Sequence, residues 1–382
     1  MARKRPTSAD VARLAGVSRT TVSFVLNANP GVQISPATRR RVLEAAESLG
    51  YTPSASARSL AGGSTRTLGL VVRQPPEQVA ADALLADLLR GVSAAARDAG
   101  YRVLVEPIAP GDASYAALVR GRHVDGLILS GPLVEDRAVL ADQVDLPVVL
   151  HGSLSGTQVP SVDVDNRAAA RSVVEHLIGL GHRAIACVAN SDASCVAAEE
   201  RLAGYREALE AAGIPRDERL VTAAAFDANT GHAALTRLLR RGVPFSAVFA
   251  GNDVVALGVI AAARASGLRV PGDLSVVGFD DIPLAAHFDP PLTTVRVPAY
   301  ELGFTAGRAL VDRIAGRLGP VRSILATRLV VRESATAPDT RGGGFLVAAT
   351  NGGTSGQTSR APLSGTEATG AAGVAAPTKG GL

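Results

Sequence analysis

The hydrophobic positions of the chain follow three regimes. Over residues 7–50 apolar side chains recur at three- and four-residue spacings with short breaks, the period of amphipathic helices. From about residue 67 the pattern changes to short β-branched runs alternating with helical stretches. Strands are expected at Leu68–Val72, Arg102–Glu106, Gly126–Ser130, Val148–His151, Ala184–Ala189, Ala247–Ala250 and Ser275–Phe279. Helices are expected at Ala83–Ala99, Arg167–Leu180, Ala197–Ala212, Thr230–Arg240 and Val254–Ser266. Strands that are apolar throughout and separated by helices imply parallel sheets covered on both faces. From Ala337 the composition collapses to Gly, Ala, Thr and Ser, too little apolar surface to offset chain entropy.

The fold class that follows is α/β: a small helical head, a linker and a two-lobed core of parallel sheets. The expected division is a head at 5–52, a hinge at 53–66 and a core at 67–336, with lobes of about 67–164 and 165–295. Crossovers and C-terminal segments complete both lobes. A disordered tail is expected at 337–382. A crevice between two such lobes is a natural ligand site.

Within the head, Asp10–Ala15 and Ser18–Leu26 read as two helices separated by Gly16, and Pro36–Leu49 as a third. Ser18 and Ser35 are placed as N-caps, and Pro36 sits at the first helical position. Val11, Ala15, Val17, Val22, Val25 and Leu26 share one face with Val42, Ala46 and Leu49, so the three helices close a miniature core. Three short helices in this order match a helix-turn-helix DNA reader. On that geometry Arg19, Thr20 and Phe24 project from the second helix toward base edges, while Thr7, Ser18, Thr21, Ser23 and Asn27 reach phosphates. Arg19 can pair bidentately with guanine. As ordinary surface, the same residues would simply be solvated.

Charge sharpens this picture. The net charge is +4, yet residues 1–66 hold ten basic side chains against three acidic ones, so the remainder is slightly negative. A basic head on a near-neutral body suits attraction to a phosphate backbone. Aromatic residues make up 3% with no Trp, which argues against stacking platforms for RNA or carbohydrate. Two cysteines, Cys187 and Cys195, cannot build a disulfide scaffold or a four-ligand zinc site. No apolar run is long enough to cross a bilayer, and the basic N-terminus lacks the apolar stretch of a secretory signal. A cytoplasmic protein without membrane association is expected.

Catalytic constellations are absent from the pattern. The six histidines show no metal-binding spacing, the AGGST stretch lacks the lysine of a phosphate loop, and Asp280–Asp281 is not spaced as facing carboxylates. Neither an enzyme nor a cofactor is expected.

The segments DVARLAGVSRTTVSFVLN and SPATRRRVLEAAESLGYTPSASARSLAGG closely resemble the lactose-repressor (LacI/GalR) family of bacterial transcription regulators. So do VDGLIL (124–129), DNRAAARSVVEHLIGLGHR (165–183), ERLAGYREAL (200–209), FAGNDVVALG (249–258), VPGDLSVVGFDD (270–281) and PPLTTV (290–295). The resemblance spans about Thr7 to Glu333 and implies a homodimer that binds double-stranded operator DNA. It also implies a hinge helix that orders on DNA, with Ser54, Ala57 and Leu60 at the matching positions and Leu60 wedged into the minor groove. A sugar-like effector is implied between the lobes, with Arg201, Phe226, Asn252 and Asp280 at the matching positions; Arg73 and Gln74 are weaker candidates. Phe24 replaces an arginine of the lactose repressor, Gly152 and Ser153 replace a common polar position, and Val297 replaces a glutamine. The operator and the effector therefore do not transfer. A periplasmic-type solute-binding protein is the alternative; it would carry a cleavable signal and no basic head.

Overall fold

A computed structural model describes residues 6–26, 33–51, 64–80, 82–112, 114–120, 123–142, 146–190 and 195–339. Helices α1 (Ser8–Ala15), α2 (Arg19–Leu26) and α3 (Pro36–Leu49) form the head. The Asp10 carboxylate accepts from the Thr7 backbone N–H at 2.9 Å and from its hydroxyl at 2.7 Å. That closed turn starts α1 two residues earlier than the apolar spacing alone suggests. Ser18 Oγ accepts from Thr21 N at 3.1 Å, and Ser35 Oγ accepts from Thr38 N at 3.3 Å. Each such cap stabilises its helix by ~1 kcal/mol. Gly16 turns the chain from α1 to α2 at φ 65°, a left-handed conformation that costs glycine nothing. Val11, Val22, Val25 and Val42 pack with Ala12, Ala15, Ala45 and Ala46, and these small side chains let three short helices approach closely.

Asn27 and the expected hinge residues Ser54, Ala57 and Leu60 lie outside the described residues. Residues 64–66 form no helix and are tied to the body instead. The Asp125 carboxylate accepts from the Ser64 hydroxyl, from Thr65 N and Oγ1 at 2.6 and 2.7 Å, and from Arg66 N at 3.0 Å. Burial opposes the charge on Asp125, but these hydrogen bonds outweigh it and hold the carboxyl below the ordinary range.

Strands β1 (Thr67–Val72), β2 (Arg102–Pro107), β3 (Gly126–Ser130), β4 (Val148–His151) and β5 (Ser161–Val164) join β11 (Arg322–Leu325) in one sheet. Its order is β11-β5-β4-β3-β1-β2, parallel throughout. A second parallel sheet, in order β7-β6-β8-β9, is made of β6 (Ile185–Asn190), β7 (Val221–Ala224), β8 (Ala247–Ala250) and β9 (Ser275–Val277). The chain leaves the first sheet after β5, returns to it at β11 and leaves it again. β10 (Thr294–Arg296) and β12 (Arg328–Val330) pair antiparallel along the way.

Helices α4 (Pro76–Val79), α5 (Ala83–Asp98), α6 (Tyr115–Arg120), α7 (Asp136–Asp142) and α12 (Ala299–Ile314) belong with the first sheet. Helices α8 (Asn166–Gly179), α9 (Val196–Ala211), α10 (Ala228–Arg240) and α11 (Asp253–Ala265) belong with the second. One apolar cluster runs through both halves, from Leu68, Leu70 and Val92 to Ile185, Phe249 and Phe279. Buried His182 secures the last described segment: its ring reaches Ser246 Oγ at 2.8 Å, Ser275 Oγ at 3.1 Å and the Thr336 carbonyl at 2.9 Å.

Candidate functional site

Residues just beyond the C-terminal ends of β1, β3 and β7 line a cavity of about 460 Å³. In parallel α/β sheets this is where ligands bind, because loops splay apart at the strand ends. Gln74, Pro75, Ser130 and Leu133 come from one half of the core, and Ala223, Ala225, Phe226 and Arg237 from the other. The two halves also touch through a backbone bridge between Leu133 and Cys195.

Gln74 continues from this cavity into a buried polar cluster. Its Nε2 donates to Asp82 Oδ2 at 3.0 Å, while the other Asp82 oxygen caps α5 by accepting from Leu84 and Leu85 N. Facing Asp82 is Arg201 on α9. The Arg201 guanidinium donates to Asn166 Oδ1 at 3.0 Å and to the Gly251 carbonyl at 2.6 Å. It also lies 3.8 Å over the Phe279 ring and 3.6 Å from Asp280 Oδ1. Asp280 and Asp281 hold φ of 114° and 55°, conformations that non-glycine residues rarely adopt and that cluster at functional sites.

The strain at Asp280 is held by its surroundings. Its backbone N–H donates to the Val295 carbonyl at 2.8 Å. The Asp281 carboxylate is gripped by Arg296 at 2.5 Å and Arg332 at 2.7 Å. Asp253, at the start of α11, accepts from Ile282 N and from the Thr294 hydroxyl. Burial pushes Asp280 well above the ordinary carboxylate range, against the pull of Arg201, and raises Asp82 in the same way. It lifts Asp253 to about 7 and Asp163 to about 6.

Among the described residues Asp280 Oδ1, Gln74 Oε1 and both amide atoms of Asn190 are buried without a hydrogen-bond partner, as are His176 Nε2, Arg206 Nε and Arg313 Nε on α8, α9 and α12. Buried polar atoms are normally paired, so a group of them at one cleft marks a place where a polar ligand completes the network.

In the head, Arg19 and Thr20 are exposed on α2, whereas Thr21, Ser23 and Phe24 are half-buried. The Ser18 and Thr21 hydroxyls bond each other at 2.9 Å, and exposed Thr7 spends its hydroxyl proton on Asp10.

Comparison with known proteins agrees with this arrangement. Residues 7–54 match the model of bacterial regulatory proteins of the lacI family, and residues 174–335 match a periplasmic binding protein-like domain. The HTH-type transcriptional regulator CelR of Thermobifida fusca is 41% identical over 339 residues, which cover 87% of this chain and 99% of CelR. The chain belongs to the LacI family. A solved CelR–cellobiose complex superposes with a TM-score of 0.67 at 39% identity, covering 87% of this chain and all of that one. A lac repressor dimer bound to operator and an anti-inducer gives 0.75 at 31% identity, with the same coverage.

As a LacI-family member the protein is a ligand-responsive, DNA-binding transcriptional regulator, not a plain solute-binding protein. Of the effector residues expected from sequence, Arg201, Asn252 and Asp280 converge on the polar cluster, and Phe226 lies in the wall of the adjoining cavity. Asn252 already caps α11, its Oδ1 accepting from Val255 N at 2.7 Å. Arg73 also lines the cavity, and its guanidinium pairs with Glu135 and Asp136 and donates to the carbonyls of Ala109 and Asp112. Sequence reasoning missed Asp82, Asn166 and Asn190. The available signal at Asn190 was a polar residue closing an otherwise apolar strand at its C-terminal end.

Proposed function

We propose that a sugar of about disaccharide size binds at the cleft and sets the operator affinity of a homodimer. Asp280, Arg201 and Asn252 meet its hydroxyls, and Phe226 lies against a less polar face. The observation that carries this reading is the buried Asp280 carboxylate, whose Oδ1 lacks a hydrogen-bond donor where the two halves of the core meet. A carboxylate there accepts from two sugar hydroxyls, and a guanidinium beside it donates to a third. The cavity volume falls in the range of ordinary small-molecule sites. The relative solved with cellobiose suggests a β-linked glucose disaccharide as the first ligand to test.

On the DNA side, Arg19 and Thr20 read base edges in the major groove. Ser18, Thr21 and Ser23 position the head on phosphates, while Thr7, whose N–H and hydroxyl both donate to Asp10, serves by closing the first turn of α1, and Phe24 makes apolar contact.

The test is a titration of cellobiose into the operator complex, followed by fluorescence anisotropy. The wild type changes its operator affinity. Asp280→Asn keeps the affinity of the ligand-free protein but needs roughly tenfold to hundredfold more sugar, the scale of one lost charge-assisted hydrogen bond. An Asp280→Asn protein that responds like the wild type removes Asp280 from the site.

A further inference from the structure

Three asparagines are buried beside Arg201 or next to the Gly251 that holds it, and they differ in what their amides do. Asn166 donates to Asp163 Oδ1 at 3.3 Å and accepts from Arg201. Asn252 caps α11. Asn190, the last residue of β6, is 2% exposed, and neither its Oδ1 nor its Nδ2 has a partner among the described residues.

This amide packs directly against Gly251. A Cβ at Gly251 would lie 2.4 Å from Asn190 Oδ1 and 2.8 Å from both its Cγ and its backbone N, so any other residue at 251 would displace the amide and the strand end together. Gly251 in turn offers its carbonyl to Arg201 Nη1 at 2.6 Å. Asn190 therefore sits beside the same backbone that anchors the guanidinium facing Asp280. Such a group fits poorly with a purely structural role, because a buried amide with neither donor nor acceptor engaged destabilises the ligand-free fold.

We propose that Asn190 is a specificity-determining residue. Its amide donates to one hydroxyl of the effector and accepts from the neighbouring one, reading a vicinal diol on the ring held by Asp280 and Arg201. The inference rests on the proposed sugar site and extends it to a residue on β6. An amide that both donates and accepts matches two adjacent hydroxyls and penalises a ligand lacking either.

The test uses Asn190→Leu, which keeps the branching but replaces the amide atoms with methyl groups, and Asn190→Ala, which avoids crowding Gly251. Both full-length variants are compared with the wild type by ligand-free melting and by cellobiose titration of the operator complex. The expected result is that at least one variant melts no lower than the wild type while both need more than tenfold more cellobiose. A normal cellobiose response in either variant overturns the proposal. So does a lowered ligand-free melting temperature in both, which would show the amide to be structural. A wild type indifferent to cellobiose, with variants that melt no lower, counts against the disaccharide and for an amide kept for a ligand.

Discussion

The head and the cleft solve opposite problems with similar side chains. In the head, polar groups find partners within three residues: Thr7 with Asp10, Ser18 with Thr21, Ser35 with Thr38. In the cleft the partners are far apart in the chain. Arg201 reaches Asn166 and Gly251, Asp253 reaches Thr294, and Asp281 reaches Arg332. Unpartnered buried atoms occur in the body, on Gln74, Asn190 and Asp280 and also on His176, Arg206 and Arg313, and none comes from the described part of the head. A DNA reader benefits from a surface that is finished before it meets the duplex. A switch needs groups whose needs are met only when the ligand arrives, since a ligand shifts an equilibrium only by what it binds differently. The strain at Asp280 and Asp281, latched to β10 and the segment after β12, ties such a change to the strands between the sheets.

The sharpest way to break the comparison is to destroy one side alone. Val42 is fully buried at the centre of the head, so Val42→Asp places a carboxylate where no partner exists. The head loses several kcal/mol, more than three short helices can spare. Operator binding should vanish while binding of the proposed sugar, measured by calorimetry, stays at the wild-type level. Loss of both would mean that head and core fold as one unit.

A second contrast appears with pH. Burial raises Asp253 to about 7, so its folded form holds a proton that the unfolded chain releases near its ordinary value of 3.8. Its contribution therefore weakens as pH climbs from about 4 to 7 and is constant above that. His151, lowered by burial from 6.5 to about 4, works in the opposite direction between those values, and burial lowers His176 and His182 as well. The informative quantity is thus the stability difference between the wild type and Asp253→Asn. It should shrink steadily from pH 4 to 7 in denaturant titrations; a constant difference would show that Asp253 is not the buried acid described. In the head, hydrogen bonds from Thr7 lower Asp10, so its stabilisation is lost only on acidification below its ordinary value.

The same contrast explains what could be read in the chain. Helix α3 is legible to the residue because its cap, its N1 proline and its terminal glycine are all local signals. Strands β3, β4 and β8 are equally clear as apolar runs bounded by polar residues. Strands β5, β7, β10, β11 and β12 escaped notice, since each is only three or four residues long and a polar residue (Asp163, Thr222, Arg296, Arg322 or Arg328) interrupts or bounds its apolar positions. Within the site, Arg201, Asn252 and Asp280 were found through family motifs, not through chemistry. Asp82 reads locally as an ordinary helix cap, and nothing near it in sequence announces that Arg201 faces it. Nor does the motif at Asp125 reveal that it fastens Ser64–Arg66, because that contact bridges about sixty residues.

The smallest expected effect tests the finished surface of the head. Arg19 is exposed in the first turn of α2 and makes no hydrogen bond or ion pair among the described residues, so its removal leaves the head intact. Arg19→Ala should weaken operator binding by about 1–3 kcal/mol, and only where the contacted base pair is the preferred one. On operators mutated at that position, wild type and variant should bind alike. Competition assays across single-base operator variants make the distinction. A uniform loss on every sequence, with a shallower salt dependence, would reassign Arg19 to a phosphate. The proposed sugar response should be unaffected in either case, because an effector that biases the whole dimer changes the occupancy of the operator and not which base the arginine reads.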